Sequence, residues 1–405
     1  MSGGRRWCRA TSHGFIAFVG IAFCLGAGTA LPVHAQEPTA PQQVSIEELT
    51  SAINQLGNLD YDVRTEASRT IRRAQPAQAV PALLRALDEH ADGYVRYRAL
   101  VLLTGFNDPR TRDAMRESMM SPNDRLRIVA FSYFAHNPAP ELAPALLARL
   151  DAELAEFVRP ALVRALAAHG QSPDVQRALV RDATRGEDFF RSAVIEALGE
   201  HRASYAFDTL SAIATLDGPL QDDAALALGR LGDKRAVPTL AGLQETAPRD
   251  RQPFIAAAIC LIGVNCGSHE NFVIESLRFT ATNPGYQELL RSSAGALGAL
   301  GVAGRSSALE ALFATGIPSR DPARAPVGLA VATVALRNTP LMLQVLATQP
   351  DRPGALDLLA EGFDMLEEDF EKERFFTLVR RSYWEAGEGS ATRELMQTII
   401  DHLDF

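Results

Sequence analysis

The 405-residue chain carries 40 Lys and Arg against 49 Asp and Glu, a net charge of −9. That balance argues against a nucleic-acid binder, because phosphate affinity comes from clustered Lys and Arg. Only two cations are lysine, Lys234 and Lys372, and the acidity suits basic or neutral partners.

The first 35 residues read as an export signal. Arg5, Arg6 and Arg9 make a basic start, Phe15 to Leu31 is an uncharged apolar run, and Val33-His34-Ala35 offers a small-residue junction before Gln36. A retained anchor is the alternative, although an apolar run of about 17 residues is short for a span. Cleavage between Ala35 and Gln36 removes three arginines and no acid, so −9 becomes −12. The expectation is an exported protein, periplasmic or secreted, without an integral membrane span after cleavage. Residues 36–44 are rich in Pro and Gln and read as a flexible lead-in.

From Ser45 the chain alternates helix pairs, the first expected at Ser45–Leu56 and Asp60–Arg73. An arginine follows a large apolar residue at Val63-Arg64, Val95-Arg96, Leu126-Arg127, Val158-Arg159 and Phe190-Arg191, in steps of 32, 31, 32 and 32 residues. A fixed period of this size marks an array of helical units, each touching only its neighbours. Asp60, Asp92, Asn123 and Glu187 stand four residues before the arginines. Asp and Asn there suit the helix N-cap, where a side-chain oxygen accepts an otherwise unpaired backbone N–H. The other helix of each unit contains Pro81, Pro144 or Pro238 in similar apolar surroundings, which places those prolines at helix starts.

The segment Leu228-Gly229-Arg230-Leu231-Gly232-Asp233-Lys234-Arg235-Ala236-Val237-Pro238-Thr239-Leu240 resembles the consensus turn of bacterial HEAT repeats, short units also found in phycobilin lyases. The arginine ladder resembles the second-helix position of the same family. The resemblance covers most of residues 45–350. It implies an all-α, right-handed α-solenoid of about nine to ten helix pairs over residues 45–360, and structural ladder arginines: Arg64, Arg96, Arg127, Arg159 and Arg191.

The ladder then decays: Asp222 and Ile255 occupy the next places, and Arg291 follows 36 residues later, which implies an insertion near Cys266, Gly267 and Pro284. Residues 317–326, with three prolines, read as a longer loop. Cys260 and Cys266 are the pair left after signal removal, and in an oxidising compartment a disulfide staple is expected. Residues 361–405 break the pattern with acids and then Phe375, Phe376, Tyr383 and Trp384. They read as a helical cap for the open end of the core, with a partner-docking element as the alternative.

Signals for chemistry are weak. His136, His169 and His201 recur once per unit, but units set about 8–10 Å apart do not bring three rings to one ion. Phosphate-loop, zinc-helix and serine-nucleophile patterns are lacking, and the glycines at 295, 298, 301 and 304 read as close helix packing followed by a helix stop. No catalytic, cofactor-binding or metal residue is assigned and no cofactor is expected. The functional expectation is a scaffold that binds a protein or peptide on its concave face, with a lyase-like or small-ligand protein, or an architectural spacer, as alternatives.

Overall fold

The computed structural model describes residues 37–405, so the segment read as an export signal and the expected Ala35–Gln36 junction lie outside the described residues. Among the described residues there are twenty-two α-helices and four short 3-10 turns, and no strand beyond an isolated bridge between Gln42 and Ala74. The first helices of ten successive pairs are α1 (Ile46–Gln55), α3 (Pro76–Glu89), α5 (Arg110–Ser118), α7 (Ala143–Ala152), α9 (Pro173–Asp182), α11 (Phe207–Ala214), α13 (Val237–Thr246), α15 (Cys266–Thr282), α17 (Ser306–Gly316) and α19 (Thr339–Thr348). Their partners are α2 (Tyr61–Arg73), α4 (Gly93–Leu103), α6 (Asp124–His136), α8 (Arg159–Ala167), α10 (Asp188–Glu200), α12 (Gln221–Leu231), α14 (Gln252–Leu261), α16 (Gln287–Val302), α18 (Arg324–Arg337) and α20 (Arg352–Asp364). A last pair, α21 (Asp369–Glu385) and α22 (Ala391–Leu403), follows. The result is an all-α solenoid.

Local chemistry sets the helix ends. Asp60 accepts from the amides of Asp62 and Val63, Asp92 from Tyr94 and Asn123 from Arg125, whereas Glu187 makes no side-chain cap bond. Gly232 ends α12 in the left-handed conformation at φ 72°, and Asp233 accepts from the Arg235 amide to begin the next turn. Pro144 and Pro238 lie in the first turns of α7 and α13, but Pro81 lies inside α3. There Pro76 already supplies the helix start, and Pro81 faces solvent. The expected insertion is taken up by α15, 17 residues long, and α16, 16 residues long. Cys260 near the end of α14 is disulfide-bonded to Cys266 at the start of α15, with Gly263 between them at φ 86°. The long loop is shorter than expected, because α18 opens at Arg324 and takes in Pro326.

The second helices pack on one another from α6 through α20 and form the inner layer, and the first helices lie outside. Glycines permit the close inner approaches. A Cβ on Gly229 of α12 would stand 2.6 Å from Ala258 Cα on α14, and one on Gly362 of α20 would strike the Gly328 carbonyl of α18. Gly229→Leu is therefore expected to destabilise by about 1–3 kcal/mol through overpacking, despite leucine's better helix propensity. Gly242→Ala, with nothing within 4 Å of the new Cβ, is the control expected to be neutral or slightly stabilising in the same thermal melts.

Asp222 opens α12 at the place the period gives to a ladder arginine. Its Oδ1 is buried without a hydrogen-bond partner. Burial first, then the Asp223 and Asp250 charges, outweigh Arg251 and raise its pKa to about 6. A raised acid pKa penalises the folded state once the group ionises, so the penalty is absent below about pH 4 and complete above pH 6. Asp222→Asn should stabilise the array by about 1–2 kcal/mol at pH 7.5 and leave the melting temperature at pH 4 unchanged.

Candidate functional site

The inner face of the first three units is filled by the chain itself. Helix α21 packs against α18 on one side and against α4, α6 and the 3-10 turn Thr104–Phe106 on the other, closing the solenoid into a ring. Phe370 joins the core of the N-terminal units, and Phe375, Val379 and Tyr383 join that of the C-terminal units. The contacts that hold α21 are mostly charged. Arg72 of α2 bonds Glu373 with Nη2 at 2.6 Å and Nε at 3.0 Å. Asp369 accepts from the Tyr97 hydroxyl at 2.6 Å and from Arg98 at 2.8 Å.

Glu371 is the hub of the seam, meeting His136 at 2.7 Å, Arg374 at 2.6 Å and Arg337 at 3.1 Å. Burial alone raises Glu371, but the His136 hydrogen bond and the Arg337 and Arg374 charges outweigh it and hold the carboxyl at about 2. A lowered acid pKa contributes stability that is full above the unfolded value near 4.5 and lost as pH falls toward 2. Hydrogen exchange in α21 should accordingly rise between pH 4.5 and pH 2.5 before α8–α16 lose protection, and Glu371→Gln should weaken that dependence.

The lead-in read as flexible is held at this seam. Glu37 is buried between Arg73 at 2.6 Å and Arg380 at 2.9 Å. The Tyr383 hydroxyl donates to the Glu37 carbonyl and Trp384 Nε1 to the Pro38 carbonyl, and Gln42 exchanges backbone bonds with Arg73 and Gln75. An isolated Pro- and Gln-rich stretch carries no sign of these partners, three of which, Arg380, Tyr383 and Trp384, lie more than 300 positions away. A cleft of about 350 Å³ remains beside α21, with Tyr61 and Tyr94 from one side and Lys372, Phe376 and Phe405 from the other.

The ladder arginines tie the turns. Arg64 donates to the carbonyls of Asn58 and Leu59 at 2.7 and 2.9 Å. Arg127 bonds the Ser121 carbonyl and both oxygens of the buried Glu153. Arg191 reaches the Ala183 carbonyl at 3.3 Å, Arg159 lies 3.6 Å from the Phe190 ring centroid, and Arg96 keeps a buried Nε without a partner. Arg291 makes only a surface pair with Glu288. Arg324 and Arg352, which the period did not reach, make the same carbonyl contacts, to Gly316 and Ile317 and to Leu346 and Ala347. The repeated dipeptides Arg159-Pro160 and Arg352-Pro353 are the signal that marks the second of these.

The histidines play separate parts. His136 pairs with Glu371, whereas burial pushes His169 and His201 below the usual imidazole range. Among the described residues, no group of three His, Cys, Asp or Glu is placed to hold a metal.

The surface left open is the edge made by the turns that enter the second helices. Leu59, Tyr94, Met120, Phe157, Phe189 and Leu216 stand exposed there, one from each of the first six units, with Tyr61 and Leu154 beside them. Leu59 is 97% exposed, Leu154 92% and Phe157 79%. Single exposed apolar side chains are ordinary on protein surfaces. A large apolar side chain in this turn or in the first turn of the helix that follows recurs in six successive units, and clustered exposed apolar surface marks binding sites.

Two family profiles match the chain. A profile of HEAT repeats matches residues 47–135, which span α1 to α6, and one of the PBS lyase HEAT-like repeat matches residues 220–246. The helical array has low-identity likenesses among solved structures. The complex of CpcE and CpcF of phycocyanin lyase from Nostoc sp. PCC7120 shares 19% identity over 64% of this chain and 97% of that one, with a TM-score of 0.40. Kap121p shares 13% identity over 88% of this chain and 45% of that one, with a TM-score of 0.42, and importin beta 14% over 88% and 61%, with a TM-score of 0.37. No curated protein sequence matches the chain. Among the described residues, no single helix is long and apolar enough to cross a membrane.

Proposed function

We propose that this HEAT-repeat protein is an exported interaction scaffold, released by cleavage after Ala35, that binds a protein partner along the exposed apolar edge. One observation carries the reading: six successive units each leave a large apolar side chain in solvent in the turn entering the second helix or in that helix's first turn. The concave face is the surface expected from the sequence, but α21 already covers that face over α2, α4 and α6. Beyond Tyr61 and Tyr94, which also line the cleft beside α21, the edge has no such cover. Burying a leucine or phenylalanine there yields about 1.5–3 kcal/mol each, so a few anchors suffice for a stable complex. Arg64, Arg127 and Arg191 fix three of the turns that present these side chains, and the mechanism is presentation rather than chemistry.

The test is site-specific photo-crosslinking in the native host, with the reactive residue placed at Leu59, Phe157, Phe189 or Leu216. Positions Arg202 and Lys234, in turns at the opposite edge, serve as controls. A discrete adduct from the apolar edge and none from the control edge supports the reading. Equal adducts from both edges, or none from either, overturn it. Recovery of the protein outside the cytoplasm with Gln36 as its first residue tests the export step. The cleft beside α21 favours a second reading, a small-ligand protein, for which native mass spectrometry should show a non-covalent companion.

A further inference from the structure

The charge along the edge specifies the partner's chemistry. Beside the apolar line, Asp62, Asp88, Glu89, Glu156 and Glu187 are exposed, and among the described residues they make no ion pair. The exposed arginines here are Arg125 and Arg185, with Arg116 and Arg181 already paired to acids, and Arg125 is laid over the rings of Tyr94 and Tyr97. The ladder arginines do not redress this, because they turn inward to carbonyls, acids and a ring. The line is therefore apolar with an acidic border.

Its spacing and curvature limit the partner further. Successive units are about 8–10 Å apart. A chain extended as polyproline II advances about 3.1 Å per residue with about three residues per turn, so every third side chain lies on one face and meets the next unit. The edge curves with a ring that closes within ten units, and a straight helix would leave it after two or three. We infer that the partner contributes an extended basic segment, with an apolar residue about every third position and Lys or Arg between. This inference rests on the edge being the binding surface. Acid–base complementarity would steer the encounter and set specificity, while the apolar anchors supply most of the affinity.

Two synthetic peptides of eighteen residues test it, both with leucine at every third position, one with Arg and Lys between and one with Asp and Glu. Titrated into the purified protein at 150 mM salt, the basic peptide should bind at least tenfold more tightly than the acidic one. Leu154→Ser with Phe157→Ser should weaken the basic peptide at least tenfold, and Lys234→Ser at the opposite edge should leave it unchanged. All these side chains are exposed or lie in turns, so thermal melts of the variants should match the parent. Equal binding of the two peptides, or binding indifferent to the Leu154 and Phe157 changes, overturns the inference. The two readings fail separately. An edge adduct formed through an acidic or neutral face of a partner removes the basic segment and leaves the scaffold, whereas absence of any edge adduct removes the scaffold itself.

Discussion

Glu373→Ala should open the ring without unfolding the array. The Arg72 and Glu373 side chains are 7% and 2% exposed, and they meet through three hydrogen bonds across 301 residues of sequence. Removing the carboxylate leaves a buried guanidinium without a counter-charge, a change that costs about 3–5 kcal/mol. In a repeat array each unit leans on its neighbours, so the loss appears where the contact is made and not as global melting. Amide exchange should rise in α21 and α22 and in the inner turns of α2 and α4, with α8 to α14 keeping their protection. The radius of gyration from solution scattering should grow as the terminal pair leaves the inner face. The paired variant Arg72→Met with Glu373→Met removes both charges and should recover much of the closure. If the single variant keeps the parent's scattering curve and exchange pattern, the ion pair does not hold the ring.

The parts of this fold legible in sequence are those decided within one unit. Asp60, Asp92 and Asn123 cap helices because the acceptor and the amides it serves lie two or three residues apart. Gly232 can be read as a stop because a left-handed residue at a helix end favours glycine whatever surrounds it. Ring closure has no such local mark. The acids of α21 look like any solvated helix face until Arg72, Tyr97, Arg98 and His136 are placed opposite them, and nothing in either segment names the other. The apolar edge was missed for a different reason. Leu59, Leu154 and Leu216 sit in turns and follow no helical stripe, so periodicity counted over helices passes them by. They become a pattern only when compared at the same turn in every unit. Arg324 and Arg352 were lost because the longer α15 and α16 shift the register of the ladder.

Glu37→Ala is expected to loosen both ends of the protein at once. The Glu37 carboxylate is fully enclosed and joins Arg73 of α2 to Arg380 of α21, and Arg380 also donates to the Phe405 carbonyl at 2.8 Å. The two arginines respond differently to its removal. Arg73 is 15% exposed and can turn outward, but Arg380 is 4% exposed, and burial already draws its pKa down to about 10. An Arg380 left with a single carbonyl faces the desolvation cost of its charge, about 3–5 kcal/mol for a buried pair broken on one side. Glu37→Gln keeps the shape and the backbone bonds to Tyr383 and Trp384 and should fall between the parent and the alanine variant. The readout is built in, because the only other tryptophan, Trp7, lies in the segment expected to be removed, leaving Trp384 to report on the latch. Its emission should shift red at a lower denaturant concentration in the variant, ahead of the loss of helical circular dichroism. A midpoint shared with the parent would falsify the latch. Glu37 therefore locks the ring from the N-terminal side of α1, joining α2 to α21 through one buried carboxylate.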